Sequence, residues 1–137
     1  MASGSLQLSV VTPEGSLYNE AAAFVAVPCR GGEVGILPGH TALIAELGVG
    51  ILRVKKGAMG GEVSDRFGIR GGFLQVVDNQ VTLLVTEAAT PGAIDVEALA
   101  AERERVLEAL RHPDSDEQFA TLLDDRRWVE SREKLAG

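Results

Sequence analysis

The sequence predicts an α+β protein that is mostly β: a β-sandwich over residues 1–90 followed by an antiparallel two-helix hairpin over residues 91–137. Three observations carry this. Between Leu6 and Val85 the apolar residues come in many short runs, several alternating with polar ones, and Gly, Pro, Asp and Asn turn signals separate them. The composition changes character at Pro91-Gly92, after which apolar positions recur at helical spacing. The charge shifts at the same place: residues 1–93 carry six basic and eight acidic side chains, residues 94–137 seven and twelve.

Leu6, Leu8 and Val10 alternate with Gln7, Ser9 and Val11, the period of a half-buried strand. Thr12-Pro13-Glu14-Gly15 reads as a turn with Pro second and Gly last, and a short strand is expected over Ser16 to Tyr18. Ala23 to Val27 is the next strand, closed by Pro28. Gly31 to His40 packs four glycines, a proline, Glu33 and His40 around a brief strand, Val34 to Leu37. Such a run cannot be a helix interior or a central strand, so it reads as a shaped loop. Binding residues concentrate on loops held by a rigid scaffold, which makes Glu33 and His40 candidates; the alternative is a tight connection with solvated polar residues. Ala42 to Leu47 and Gly50 to Val54 follow as strands, Lys55-Lys56-Gly57 as a hairpin tip and Gly60 to Arg66 as a second exposed turn. Phe67 to Ile69 is expected to end at Gly71-Gly72, before a separate strand over Phe73 to Val77. Asp78-Asn79 makes a tight turn into a final β-favouring strand, Val81 to Val85. Many short strands of this kind form a sandwich or a flattened barrel.

Ile94-Asp95 starts the first helix, with Asp95 as N-cap and Glu97 favourable to the helix dipole. Val96, Leu99, Ala100, Val106, Leu107 and Leu110 are expected to form its apolar face, and Arg111-His112-Pro113-Asp114 to break it. Ser115-Asp116-Glu117-Gln118 has capping-box spacing, and Phe119, Leu122, Leu123 and Val129 give the inner stripe of a second helix. Arg126, Arg127 and Arg132 stand among Asp124, Asp125, Glu130 and Glu133, a pattern read most simply as a solvated, ion-paired face. Helices this short are marginal alone, so the hairpin must pack on the sandwich or on a partner, and it is a candidate mobile element.

Hydrophobic residues make up 45% and charged residues 24% of the 137, a balance that supports a globular core. No apolar run approaches the roughly 20 residues of a membrane span. Met1 to Ser5 lacks the features of a signal or transit peptide and reads as a frayed end or a cloning remnant. Net charge −7 argues against nucleic acid as a partner and against direct membrane binding. The single cysteine, Cys29, excludes an internal disulfide and reads as a small buried apolar residue. There is no phosphate-binding loop, no dinucleotide fingerprint, no zinc-ligand spacing around His40 and His112, and no nucleophile elbow. The residues alone point to a non-catalytic subunit or a free-standing β-sandwich adaptor, with no catalytic residue, metal or cofactor.

Gly32-Glu33-Val34-Gly35-Ile36-Leu37-Pro38-Gly39-His40 closely resembles the signature of the epsilon subunit of bacterial F-type ATP synthase. So do Val10 to Gly15, Gly71 to Val76 and Val81 to Val85, in the same order along the chain. The resemblance implies a non-catalytic rotor subunit of the central stalk. Its sandwich would clamp the gamma subunit and sit on the c-ring, coupling proton transport to ATP synthesis in the alpha/beta hexamer. On this resemblance Glu33 faces the c-ring and Thr12 and His40 face gamma. The hairpin would hinder ATP hydrolysis, with Arg126, Arg127 and Arg132 contacting the catalytic subunits, although the second helix departs from the family's Ala- and Arg-rich pattern. Some members bind ATP through an Ile/Leu-Asp-x-x-Arg-Ala motif. Ile94 and Asp95 match its start, but Ala98 stands where the arginine should be, so ATP binding is expected to be weak or absent. The implied location is the cytoplasmic side of a bacterial plasma membrane, held peripherally through its partners.

Overall fold

The computed structural model describes residues 5–57 and 61–137. Met1 to Gly4, from the segment read as a frayed end or remnant, and Gly60, the first residue of the expected second turn, lie outside the described residues.

Eight strands, β1 (Leu6–Thr12), β2 (Gly15–Ala22), β3 (Phe24–Cys29), β4 (Gly32–Ile36), β5 (Leu43–Glu46), β6 (Val49–Lys55), β7 (Asp65–Val77) and β8 (Gln80–Ala89), form one hydrogen-bonded sheet. Their order is β2-β1-β8-β7-β6-β3-β4, with β5 also on β7. The sheet folds over into a sandwich because β7 serves both layers. Residues 65–70 of β7 pair with β6, and residues 73–76 pair with β5. The inward side chains change parity across the junction: Phe67 and Ile69 point to the core before it, Leu74 and Val76 after it. Gly71 and Gly72, both at positive φ, turn the strand at this corner. The expected strand end at Gly71-Gly72 is therefore corrected: the glycines bend one strand between layers, and its register with β8 runs from Gly68↔Ala89 to Val77↔Gln80.

The core comprises Leu6, Leu8 and Val10 of β1, Val25 and Val27 of β3, Leu52 and Val54 of β6, and Val81, Leu83 and Val85 of β8, joined by the inward residues of β7. Tyr18 fastens β2 to the far layer: its hydroxyl donates to Asp65 Oδ2 at 2.7 Å and its ring meets Phe67 edge-on at 5.2 Å. Burial, then the Asp65 carboxylate, push the Tyr18 phenol above its ordinary pKa.

Several boundaries differ from expectation. β2 runs to Ala22, well beyond Tyr18, because it pairs with β1 along its whole length. Asp65 and Arg66 belong to β7, not to a turn. β4 covers Gly32–Ile36 instead of Val34 to Leu37, since Gly32 still pairs with Cys29. Pro28 does not close β3. Its carbonyl accepts from Gly48 N at 3.0 Å, so its nitrogen faces the same side, where the β3–β6 ladder has already ended at Ala26. Cys29 is half-buried at the rim of the core, where burial raises its thiol pKa. Asp78 and Asn79 form the tight β7–β8 turn, both with positive φ as a type I′ turn requires.

After a 3-10 turn at Pro91–Ala93 come α1 (Val96–Arg111) and α2 (Asp116–Ala136). Asp95 caps α1 by accepting from Ala98 N at 3.1 Å, and Ser115 caps α2 by accepting from Gln118 N at 3.0 Å. Gln118 accepts from Asp114 N, one residue earlier than a capping box requires. The expected helix faces are corrected in part. Val96 and Ala100 are exposed, and the α1 seam is Leu99, Val106 and Leu110 with Leu107 half-buried. Phe119 is 44% exposed, in the first turn of α2. The inner stripe is Leu122, Trp128, Val129, Ser131 and Leu135, with Leu123 half-buried. α2 lies on the outer face of β6 and β7 over Gly68, where a Cβ would stand 3.0 Å from Leu135 Cδ1 and 3.1 Å from Trp128 Cζ3. The small residue lets the indole ring approach the sheet.

Candidate interaction surfaces

The first surface is the outer face of the β2-β1-β8-β7-β5 layer. Phe73 pairs with Leu84, Leu84 with Val11, and Ile44 sits beside Gln75. These registers place Ile44, Phe73, Leu84 and Val11 on one side, beside Gln75, Thr82 and Ser9. Ile44 is 76%, Phe73 58% and Leu84 55% exposed. Three large apolar side chains standing together on one sheet face mark an interaction surface more strongly than scattered ones. Sequence reading missed them. A signal existed: Phe73 to Val77 is nearly all apolar, and an antiparallel strand with one solvated face should alternate.

Thr12 and His40 lie at opposite ends of this face. Thr12 ends β1, its hydroxyl donating to Gly15 O at 3.2 Å and accepting from Glu14 N. His40 sits near the β7–β8 turn, whose Asn79 side chain accepts from Gly39 N at 2.7 Å. Asn79 O in turn accepts from Gln7 N, five residues before Thr12 and so about 16 Å along the strand. His40 Nδ1 lies 2.7 Å from Thr41 O, which can only accept, so Nδ1 is the donor of this contact. Glu33 is elsewhere. It stands on edge strand β4 on the α2 side of the other layer, where Arg53 of β6 donates to its carboxylate.

The three arginines of α2 do not share one task. Arg126 pairs with Glu130 at 3.8 Å and borders the α1 seam beside Val106. Arg127 pairs with Asp124 at 3.1 Å and faces the sandwich. Arg132 is the most enclosed: it forks onto Glu102 of α1, donates to Trp128 O at 3.2 Å and lies over the Trp128 ring at 4.9 Å. The plain reading of these charges as ion-paired holds, but Arg132 is packed instead of solvated. Sequence reading passed over Trp128 itself, the residue that seats α2.

Ile94 and Asp95 border a cleft of about 590 Å³ between sandwich and hairpin. Its charged lining is Glu14, Glu87, Asp95 and Glu102 against Arg132, whose guanidinium is already taken by Glu102. The Asp95 carboxylate is occupied as a helix cap. Such a lining disfavours a polyphosphate. Among the described residues no group of three His, Cys, Asp or Glu is placed to hold a metal ion.

A β-sandwich carrying an exposed apolar strip, joined to a docked helical hairpin, defines an assembly subunit built for contact. The family model described as ATP synthase, Delta/Epsilon chain, beta-sandwich domain matches residues 5–91. An ATP synthase epsilon chain of Alkalihalophilus pseudofirmus is 39% identical over 112 residues, 82% of this chain and 81% of that one. The epsilon chain of Leptospira interrogans is 36% identical over 134 residues, 96% of this chain and all of its own length. Among solved structures, a chain of the Euglena gracilis mitochondrial ATP synthase OSCP/F1/c-ring assembly superposes with a TM-score of 0.80 at 26% identity, covering 98% of this chain and 82% of that one. A chain of the Tetrahymena thermophila mitochondrial central stalk and c-ring shares the fold, with a TM-score of 0.63 at 15% identity. The chain belongs to the ATP synthase delta/epsilon family and aligns along its length with epsilon chains, which are non-catalytic subunits of that complex.

Proposed function

We propose that this subunit works in the rotor, its sandwich held between the gamma subunit and the c-ring and its hairpin acting as a brake on ATP hydrolysis by the alpha/beta hexamer. The observation that carries the reading is the Ile44–Phe73–Leu84 strip on a chain of this family: about 55% or more of each side chain is left to water, as a surface awaiting a partner would leave it. Gamma is assigned to this face, with Thr12 and His40 at its two ends. Glu33, half exposed on an edge strand and steadied by Arg53, is assigned to the polar loops of the c-ring, where a carboxylate adds register more than affinity. Among the described residues no helix is long and apolar enough to cross a membrane, which suits peripheral attachment on the cytoplasmic side of a bacterial plasma membrane.

The test is ATP hydrolysis by the reconstituted α3β3γ complex with the whole chain or with the chain cut after Ala93. The expected result is that both bind and only the whole chain inhibits. Binding without inhibition by either would remove the brake, and with it the contacts assigned to Arg126, Arg127 and Arg132. Failure of both to bind would overturn the rotor reading in favour of a free-standing adaptor.

ATP is not expected to be a ligand of the isolated chain. The carboxylate-rich lining of the cleft and the engaged Arg132 both oppose it, and Ala98 offers no guanidinium. Adding millimolar ATP should leave the amide NMR spectrum unchanged, whereas saturable micromolar binding would refute the assignment.

A further inference from the structure

The sandwich and the hairpin have separate cores. Leu99, Val106 and Val129, with Ile94 and Leu110, form a cluster distinct from the one inside the sandwich. The seam between them joins α2 to β6 and β7. Its apolar part includes Trp128 and Leu135 over Gly68, with Leu17, Ala88 and Ala89 bordering the cleft beside Trp128. Its polar part is a network around two adjacent acids of α2. Asp125 accepts from Arg70 of β7 at 2.5 Å, and Asp124 lies 3.9 Å from Arg30, which follows β3. Glu87 flanks Arg70 at 3.6 Å, Glu46 flanks Arg30 at 3.4 Å, and Arg127 of α2 reaches Asp124 at 3.1 Å.

The two bridges differ in weight. Arg30 is largely in water, so its 3.9 Å approach contributes little. The side chains of Arg70 and Asp125 keep only 23% and 28% of their exposure, and their hydrogen bond is charge-assisted. The pair lies beside the apolar contacts of Trp128 and Leu135, and its loss leaves each charge half-buried without its partner.

We propose that the Arg70–Asp125 pair, with Asp124 beside it as a minor partner, is a charge clamp that holds the hairpin on the sandwich, so that ionic strength and any competing cationic surface regulate its release. The proposal deepens the reading of the hairpin as a movable brake and rests on it. Its test uses the isolated full chain, so failure here leaves the rotor reading to be judged by the hydrolysis assay.

Trp128 is the only tryptophan, and it is buried in the seam, so its emission and its quenching by neutral acrylamide report seating directly. Raising salt from about 0.01 M to about 1 M shortens the screening length from about 30 Å to about 3 Å, and should red-shift the emission and increase quenching while far-ultraviolet circular dichroism stays constant. The double variant Asp124→Asn/Asp125→Asn should show the same change already at low salt, its seating weakened about tenfold by loss of one charge-assisted bond. Gly68→Leu, which blocks the seat sterically, supplies the reference spectrum of the released state. A flat salt titration of the natural chain would overturn the clamp, as would a double variant that reads as seated while Gly68→Leu reads as released. A Gly68→Leu spectrum identical to the natural one would overturn the placement of Trp128 in the seam. If the double variant loses helix signal, the salt titration alone decides.

Discussion

Gly72→Ala should cost the sandwich more than about 4 kcal/mol and leave the chain largely unfolded at 37 °C, where a domain of this size has about 5–10 kcal/mol to lose. A Cβ at this position would lie 1.9 Å from the Leu84 carbonyl oxygen, and the backbone sits at φ +118, where side chains other than hydrogen are strained. The obstructing atom is main chain in the paired strand, so no rotamer change can relieve the clash. Gly71 is the built-in control. Its φ is +73 and the nearest atom to its Cβ would be Thr86 Oγ1 at 3.3 Å, so Gly71→Asn, with a residue that tolerates the left-handed region, should cost no more than about 1–2 kcal/mol. Urea denaturation followed by circular dichroism separates the two. Equal and small losses would mean that β7 can pass between layers without its tight approach to β8.

Phe73→Asp/Leu84→Asp should leave the fold intact and weaken attachment to the α3β3γ complex at least about 100-fold. Both side chains are more than half exposed, so neither holds the core, and surface substitutions of this kind usually change stability by about 0.5 kcal/mol or less. At the centre of an interface the same change buries a carboxylate against apolar surface, and truncation of such anchors costs about 2–4 kcal/mol even without the added charge. Titration calorimetry against α3β3γ measures the loss, and an unchanged melting curve shows that folding is not its cause. Natural affinity in the double variant would move gamma's seat off this face.

Where local rules govern, sequence and structure agree. Period-2 alternation located β1, an Asp-Asn pair located the β7–β8 turn, and the caps Asp95 and Ser115 located both helix starts, because each depends on residues within a few positions of one another. Gly71-Gly72 was misread because a glycine pair at a strand end and one at a layer crossing look alike locally. What tells them apart is the parity switch from Phe67 and Ile69 to Leu74 and Val76, which has meaning only once both layers exist. The candidate residues fare likewise. Glu33, Thr12 and His40 stood out as members of motifs, yet Arg53 as the partner of Glu33, Glu102 as the partner of Arg132, and Arg70 as the partner of Asp125 are 20, 30 and 55 residues away and leave no periodic trace. Trp128 was hidden for a related reason: its contact on the sheet is a glycine, which no hydrophobic pattern records.

β7 carries Phe73 on the outside of one layer and Gly68 on the outside of the other, five residues or about 16 Å apart. The face with the apolar strip and the face under the helices are thus two stretches of one covalent ribbon. A change at the Gly71-Gly72 corner between them would therefore disturb both faces at once.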